Sequence, residues 1–145
     1  MVTRLAGIVD GSRPPGLYRW PSRAHPAAIR RELAAAGISC YVLDGARVLD
    51  AASLVEGCAA VLRFPGRFNT DWEGLAYGLG DLSWLPGRAQ VLLWEHYGAL
   101  ARHDSQAWEA ARDVFATQTA FSGKEGAPLY VLLRGPGPVA DVPVL

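Results

Sequence analysis

Cysteine is scarce, long apolar runs are missing and net charge is nil, and each lack removes a class of protein. Two cysteines, Cys40 and Cys58, in a chain of 145 residues are too few for a disulfide framework. Cys40 sits in an apolar, strand-like run and Cys58 in a helical pattern. Both read as small buried hydrophobes, with a disulfide or metal site as the alternative. No apolar stretch approaches the roughly 18–20 residues that cross a bilayer, so no membrane span is expected. The first ten residues, with Arg4 and Asp10, lack the apolar core of a signal peptide, and a cytoplasmic location is expected. The catalytic signatures Gly-x-Ser-x-Gly, His-Glu-x-x-His and a glycine-rich phosphate loop with Lys are all missing. Glu95-His96 and His103-Asp104 are the only acid–imidazole clusters, and they read as solvated or capping residues. The expectation is therefore no enzyme, no cofactor and no metal.

Half the residues are hydrophobic and only 19% are charged, which favours a folded globular chain over a disordered one. The length fits one domain, here divided into an extension (1–37), a core (38–134) and a tail (135–145). The zero net charge is unevenly spread. Residues 1–37 carry Arg4, Arg13, Arg19, Arg23, Arg30 and Arg31 against Asp10 and Glu32. The remaining residues are acidic by a matching margin. An acidic main portion suits a basic protein partner better than nucleic acid.

Residues 1–16 are punctuated by Gly and Pro and read as an irregular lead-in. Residues 16–20 suggest a short edge strand stopped by Pro21. Ser22 or His25 opens a helix with Pro26 in its first turn, running through Ile29, Leu33 and Ala36 to Gly37. Three apolar runs, 38–43, 89–94 and 128–133, read as buried strands. Between them, Asp50 or Ala51 opens a helix with Leu54, Val55, Cys58 and Leu62 on its inner face. Asp104 or Ser105 opens another, carrying Trp108, Ala111 and Phe115. Apolar strands alternating with helices predict an α/β fold, a small three-stranded parallel sheet covered by helices. The N-terminal strand and helix would be an addition to it, and the Gly/Pro-rich tail would run extended over the surface.

The stretch from Phe64 to Pro86 stands apart. On a helical wheel Trp72, Leu75, Leu79 and Leu82 share one side, while Glu73, Tyr77 and Asp81 share the other. No Lys or Arg lies between Arg67 and Arg88, so Asp71, Glu73 and Asp81 leave the segment acidic. Thr70 and Glu73 have the spacing of a capping box, with Asp71 in the first turn. Gly74, Gly78 and Gly80 each cost a helix about 1 kcal/mol relative to Ala. Gly74 and Gly78, one turn apart, would leave a smooth flank for another surface to approach. Tyr77 is either an interface anchor or packed against residues 1–37.

The run Phe64-Pro65-Gly66-Arg67-Phe68-Asn69-Thr70-Asp71-Trp72-Glu73-Gly74-Leu75-Ala76-Tyr77-Gly78-Leu79-Gly80-Asp81-Leu82 resembles the signature of the barstar family. Val91-Leu92-Leu93-Trp94 resembles that family's second strand. Val114-Phe115 and Leu129–Leu133 resemble its last helix and strand. The resemblance covers roughly residues 38–134. It implies an intracellular inhibitor of a secreted microbial ribonuclease, with a three-stranded parallel sheet and acidic side chains that plug the enzyme's active site. The first signature Asp corresponds to Glu73 and the second to Tyr77, and the Glu of the family's last helix corresponds to Thr117.

Together these features point to a binding protein directed at a basic secreted ribonuclease or toxin-like protein. Glu73 and Asp81 would supply charge, Tyr77 would fill the partner's cleft, and Arg67, Phe68 and Asp71 would form the rim. With Tyr77 in place of an acid, weak or no inhibition of a barnase-type enzyme is expected, and a different cognate target. Two alternatives stand beside this reading. One is a non-inhibitory interaction module of the same fold, self-association included. The other is a nucleic-acid binder using the basic N-terminal segment, where Arg19-Trp20-Pro21-Ser22-Arg23 could contact RNA.

Overall fold

In the computed structural model, which describes residues 5–66, 68–124 and 126–145, four parallel strands form one sheet. The elements in chain order are α1 (Ala6–Val9), β1 (Leu17–Arg19), α2 (Pro26–Ala35), β2 (Ile38–Asp44), a 3-10 turn (Gly45–Arg47) and α3 (Ala51–Val61). They continue with α4 (Trp72–Asp81), β3 (Ala89–Glu95), α5 (Gly98–His103), α6 (Ser105–Phe121) and β4 (Leu129–Arg134). Strand order is β1-β4-β3-β2. The expected three-stranded sheet is thus β2, β3 and β4, and the N-terminal strand joins it as a fourth member beside β4. Part of the lead-in expected to be irregular is the helical turn α1, which buries Ile8.

Helix starts follow local chemistry. His25 caps α2, its Nδ1 accepting from the Ala27 amide at 3.1 Å ahead of Pro26. Asp50 caps α3 in a reciprocal box with Ser53, and Asp104 caps α6 through the Ala107 amide. Gly37, with φ +79°, ends the α2 region and turns the chain into β2.

The two sheet faces bury different parts of the chain. Side chains alternate along each strand, so Leu92, Trp94, Val131 and Leu133 point to one face and Val91, Leu93, Tyr130 and Leu132 to the other. Helices α3 to α6 cover the first face, with Leu54, Cys58, Leu75, Leu79, Trp108 and Phe115 in its core. The N-terminal residues cover the second, with Leu5, Ile8, Trp20, Ile29 and Leu33, joined by Leu145 from the far end of the chain. The connection from β1 through α2 to β2 joins the two edges of the sheet across this second face.

The tail departs from expectation. It does not merely lie on the surface: Val144 bridges Arg19, the Arg19 amide donates to Pro143 at 2.8 Å and the Leu145 amide to Arg19 at 2.9 Å. These bonds cover the outer edge of β1, and Val142 and Leu145 are buried.

Glu95 corrects another expectation, because it is not solvated. Arg134, buried at the end of β4, donates to both oxygens of Glu95 at 2.6 and 2.7 Å. The same guanidinium donates to the Ser22 carbonyl at 3.1 Å and lies 5.6 Å from the Trp20 ring centroid. One ion pair therefore joins the ends of two strands to the N-terminal layer. Cys40 and Cys58 are buried free thiols on opposite faces of the sheet. Burial pushes both up to about 12, which keeps them protonated and chemically quiet.

Candidate functional site

Helix α4 divides into two faces as its periodicity predicts. Leu75 and Leu79 are buried, as is Leu82 just beyond its end, and Trp72 packs at the margin of the core. Asp71, Glu73, Tyr77, Gly80 and Asp81 are exposed. Tyr77 keeps 67% of its surface open, the largest value among the exposed large hydrophobic residues described. It does not pack on residues 5–37, which cover the opposite face of the sheet.

The expected Thr70–Glu73 capping box is not formed. Asp71 is the N-cap: its backbone is extended and its Oδ1 accepts from the Gly74 amide at 2.8 Å. With Asp71 as N-cap the helix starts one residue later than the box requires, and the amide capped is that of Gly74 instead of Glu73. Glu73 is left in the first turn, favourable to the helix dipole. Its carboxylate makes no hydrogen bond or ion pair among the described residues.

Gly74 and Gly78 do not offer a flank to a partner, because this chain already occupies it. A Cβ on Gly74 would collide with the Asn69 carbonyl, and one on Gly78 would enter the Phe64 ring. The missing side chains let the loop before α4 lie directly on the helix. That loop is held by three rings: Phe64 meets Phe68 and Trp84 edge-on at 5.8 and 5.7 Å, and Phe68 lies 5.7 Å from Trp84. Trp84 Nε1 also donates to the Leu62 carbonyl at 2.8 Å, tying the exit of α4 to the end of α3. Phe68, expected at a rim, is half-buried in this cluster. Arg67 lies outside the described residues.

Between loop and helix is a hollow of about 260 Å³ lined by Phe68, Asn69, Glu73, Gly74 and Tyr77. Asp81 lies beyond it, one turn past Tyr77, and its Oδ1 accepts from the Ser83 amide at 3.3 Å. Asp81 borders a second, larger concavity of about 620 Å³ shared with Leu85, Phe121 and Lys124. Phe121 is 61% exposed with the Lys124 ammonium 4.8 Å from its ring centroid. Sequence reasoning passed over Phe121, although its wheel position falls off the stripe of Trp108, Ala111 and Phe115. Thr117 is also exposed on α6.

The chain from 38 to 134 matches the family model described as Barstar (barnase inhibitor). This chain belongs to the barstar family. A comparison with curated proteins gives no match. The barstar match leaves out α1, β1, α2 and the tail: β1 widens the sheet, while α1, α2 and Leu145 cover its second face. These flanking segments hold six of the fourteen basic residues, yet three of their arginines are engaged by backbone carbonyls. Arg13 donates to the Val144 carbonyl, Arg19 to Val142 at 3.1 Å and Arg30 to Cys40 at 3.1 Å. Among the described residues no helix is long and apolar enough to cross a membrane, and no His/Cys/Asp/Glu group could hold a metal.

Proposed function

We propose that this barstar-family chain is a cytoplasmic binding protein, not an enzyme, that masks a basic ribonuclease or related toxin with the outer face of α4. The observation that carries this reading is the pairing of Tyr77, wide open at the centre of that face, with the uncommitted carboxylate of Glu73. Exposed aromatics among charges are favoured interface anchors. Asp71, Glu73 and Asp81 would steer a basic cleft onto the face, and Tyr77 would enter it. The half-buried Phe68 supports the rim from within, and Arg67 belongs to the same proposed rim.

Carbonyl capping by Arg13, Arg19 and Arg30 weakens the case for nucleic acid, since those guanidiniums already serve the fold. Tyr77 itself favours a second reading, an interaction module of this fold that inhibits no nuclease, because the family resemblance places an acid there.

Inhibition of a barnase-type ribonuclease, measured by RNA cleavage against added protein, tests the first reading. The native chain should inhibit weakly or not at all, and Tyr77→Asp should inhibit at least about tenfold better. No gain from Tyr77→Asp, in a variant of unchanged thermal stability, would argue against α4 as the inhibitory face.

A further inference from the structure

We propose that the outer edge of β2 is a self-association surface, where a second copy of this chain adds its own β2 in antiparallel sense. The inference does not draw on α4. Strands β1 and β2 are the two edges of the sheet, and the tail closes only the first. The Gln90 amide donates to the Pro128 carbonyl at 2.9 Å, so the backbone of Gln90 and Leu92 faces β4 and that of Val91 and Leu93 faces β2. By register, Ser39, Tyr41 and Leu43 then bond inward, and the backbone groups of Ile38, Cys40 and Val42 point outward. Arg30 Nε donates to the Cys40 carbonyl at 3.1 Å. The Cys40 amide and both backbone groups of Val42 have no partner among the described residues. The strand has no charge or proline from Ile38 to Leu43, so Arg30 is the one device that blunts this edge.

The occupant is a second copy because the edge is complementary to itself. Centred on Val42, an antiparallel pair lets the two Val42 residues exchange amide and carbonyl, and sets Cys40 opposite Asp44 of the second copy. Cys40, Val42 and Asp44 share the sheet face that α2 covers, so that Asp44 arrives beside Arg30, and both side chains are exposed. The two-fold makes this opposite-charge contact twice and sets no like charges across the strands. A register centred on Cys40 is disfavoured, because Arg30 already holds the carbonyl it needs. The chain's zero net charge adds no repulsion between copies. Tyr41 and Val42, half-buried on opposite faces, each gain cover from the added strand. A groove of about 450 Å³ lined by Arg30, Ala34, Ile38, Cys40 and Tyr41 gives that strand room.

Sedimentation equilibrium of the full chain, run at rising concentration in low salt, tests the pairing. The average mass should climb from 15.6 kDa toward twice that value. Val42→Pro removes only an outward amide, a change that edge strands tolerate, and should hold the chain at monomer mass while it still melts cooperatively. Asp44→Asn keeps the side-chain oxygen that accepts from the Ala46 amide but loses the charge. It should weaken the dimer roughly three- to tenfold, since the ion pair is made twice. Added salt should weaken the native dimer and leave the Asp44→Asn dimer nearly unchanged. A chain that stays at 15.6 kDa up to about 1 mM overturns the proposal. So does a mass that rises past the dimer, because a two-fold pairing closes. A folded Val42→Pro or Asp44→Asn variant that dimerises as tightly as the native chain overturns it as well.

Discussion

Asp71 and Glu73 are two carboxylates a short step apart, and the fold gives them different tasks. Asp71 spends its oxygen on the Gly74 amide, while Glu73 faces outward without a described partner. Removing the cap should cost stability while leaving the outward carboxylate of Glu73 and the ring of Tyr77 in place. Asp71→Ala is expected to lower stability by about 1 kcal/mol, while Thr70→Ala should cost close to nothing. Urea unfolding of the two variants checks this, and equal losses would restore Thr70 as the cap. The choice between Thr70 and Asp71 was not legible in the sequence. Both residue types cap helices, and the Thr-x-x-Glu spacing matched a box one residue upstream of the true start. Tyr77 was legible as outward-facing, because its wheel position opposes Leu75 and Leu79 whatever the cap.

At the scale of the element, α4 shows why glycine counts have to be read with their neighbours. Three glycines in seven residues suggested a helix composed for a partner's approach, but two of them accommodate this chain's own loop. Gly74→Ala should destabilise by roughly 1–3 kcal/mol, since the new methyl meets the Asn69 backbone and cannot be moved aside cheaply. Gly80→Ala should instead stabilise by up to about 1 kcal/mol, through helix propensity. The only close atom there is the Gln118 amide oxygen at 2.9 Å, the far end of a flexible side chain. Thermal melts of both variants decide the matter, and similar effects would contradict the packing described. The helix ends at Leu82, whose φ of +50° is held in a left-handed turn while its side chain stays buried. Strands β3 and β4 were plain in the sequence because they are apolar on both faces, as interior parallel strands are. The edge strand β1 is only three residues long, so its place beside β4 could not be read from its pattern. Nor could the return of Val144 to its outer edge, a contact made across 125 positions of sequence.

At the scale of the molecule, the sheet has the layer of helices α3 to α6 on one face and an arginine-rich covering layer on the other. The barstar match supplies the first and stops short of the second. Residues such as Val91, Leu93, Tyr130 and Leu132 lie within the match but owe their burial to the covering layer. Each buried side chain of this kind contributes about 1.5–3 kcal/mol, in sum comparable to a typical domain's net stability. Deleting residues 1–37 should therefore abolish cooperative thermal unfolding and raise binding of a hydrophobic dye. A truncated chain that melts cooperatively as a monomer would show the layer to be dispensable. The division into two layers was legible as a change of charge near residue 37, and the carbonyl-capping use of the arginines was not, since composition cannot distinguish a staple from a phosphate contact.

The most direct measurement of the central claim is an amide-resonance map of the full chain bound to a basic ribonuclease that it retains. The predicted result is a patch of perturbed signals centred on Asp71, Glu73, Tyr77 and Asp81, with the α2 surface unchanged. A patch centred on α2 or the tail, with Tyr77 silent, would contradict it.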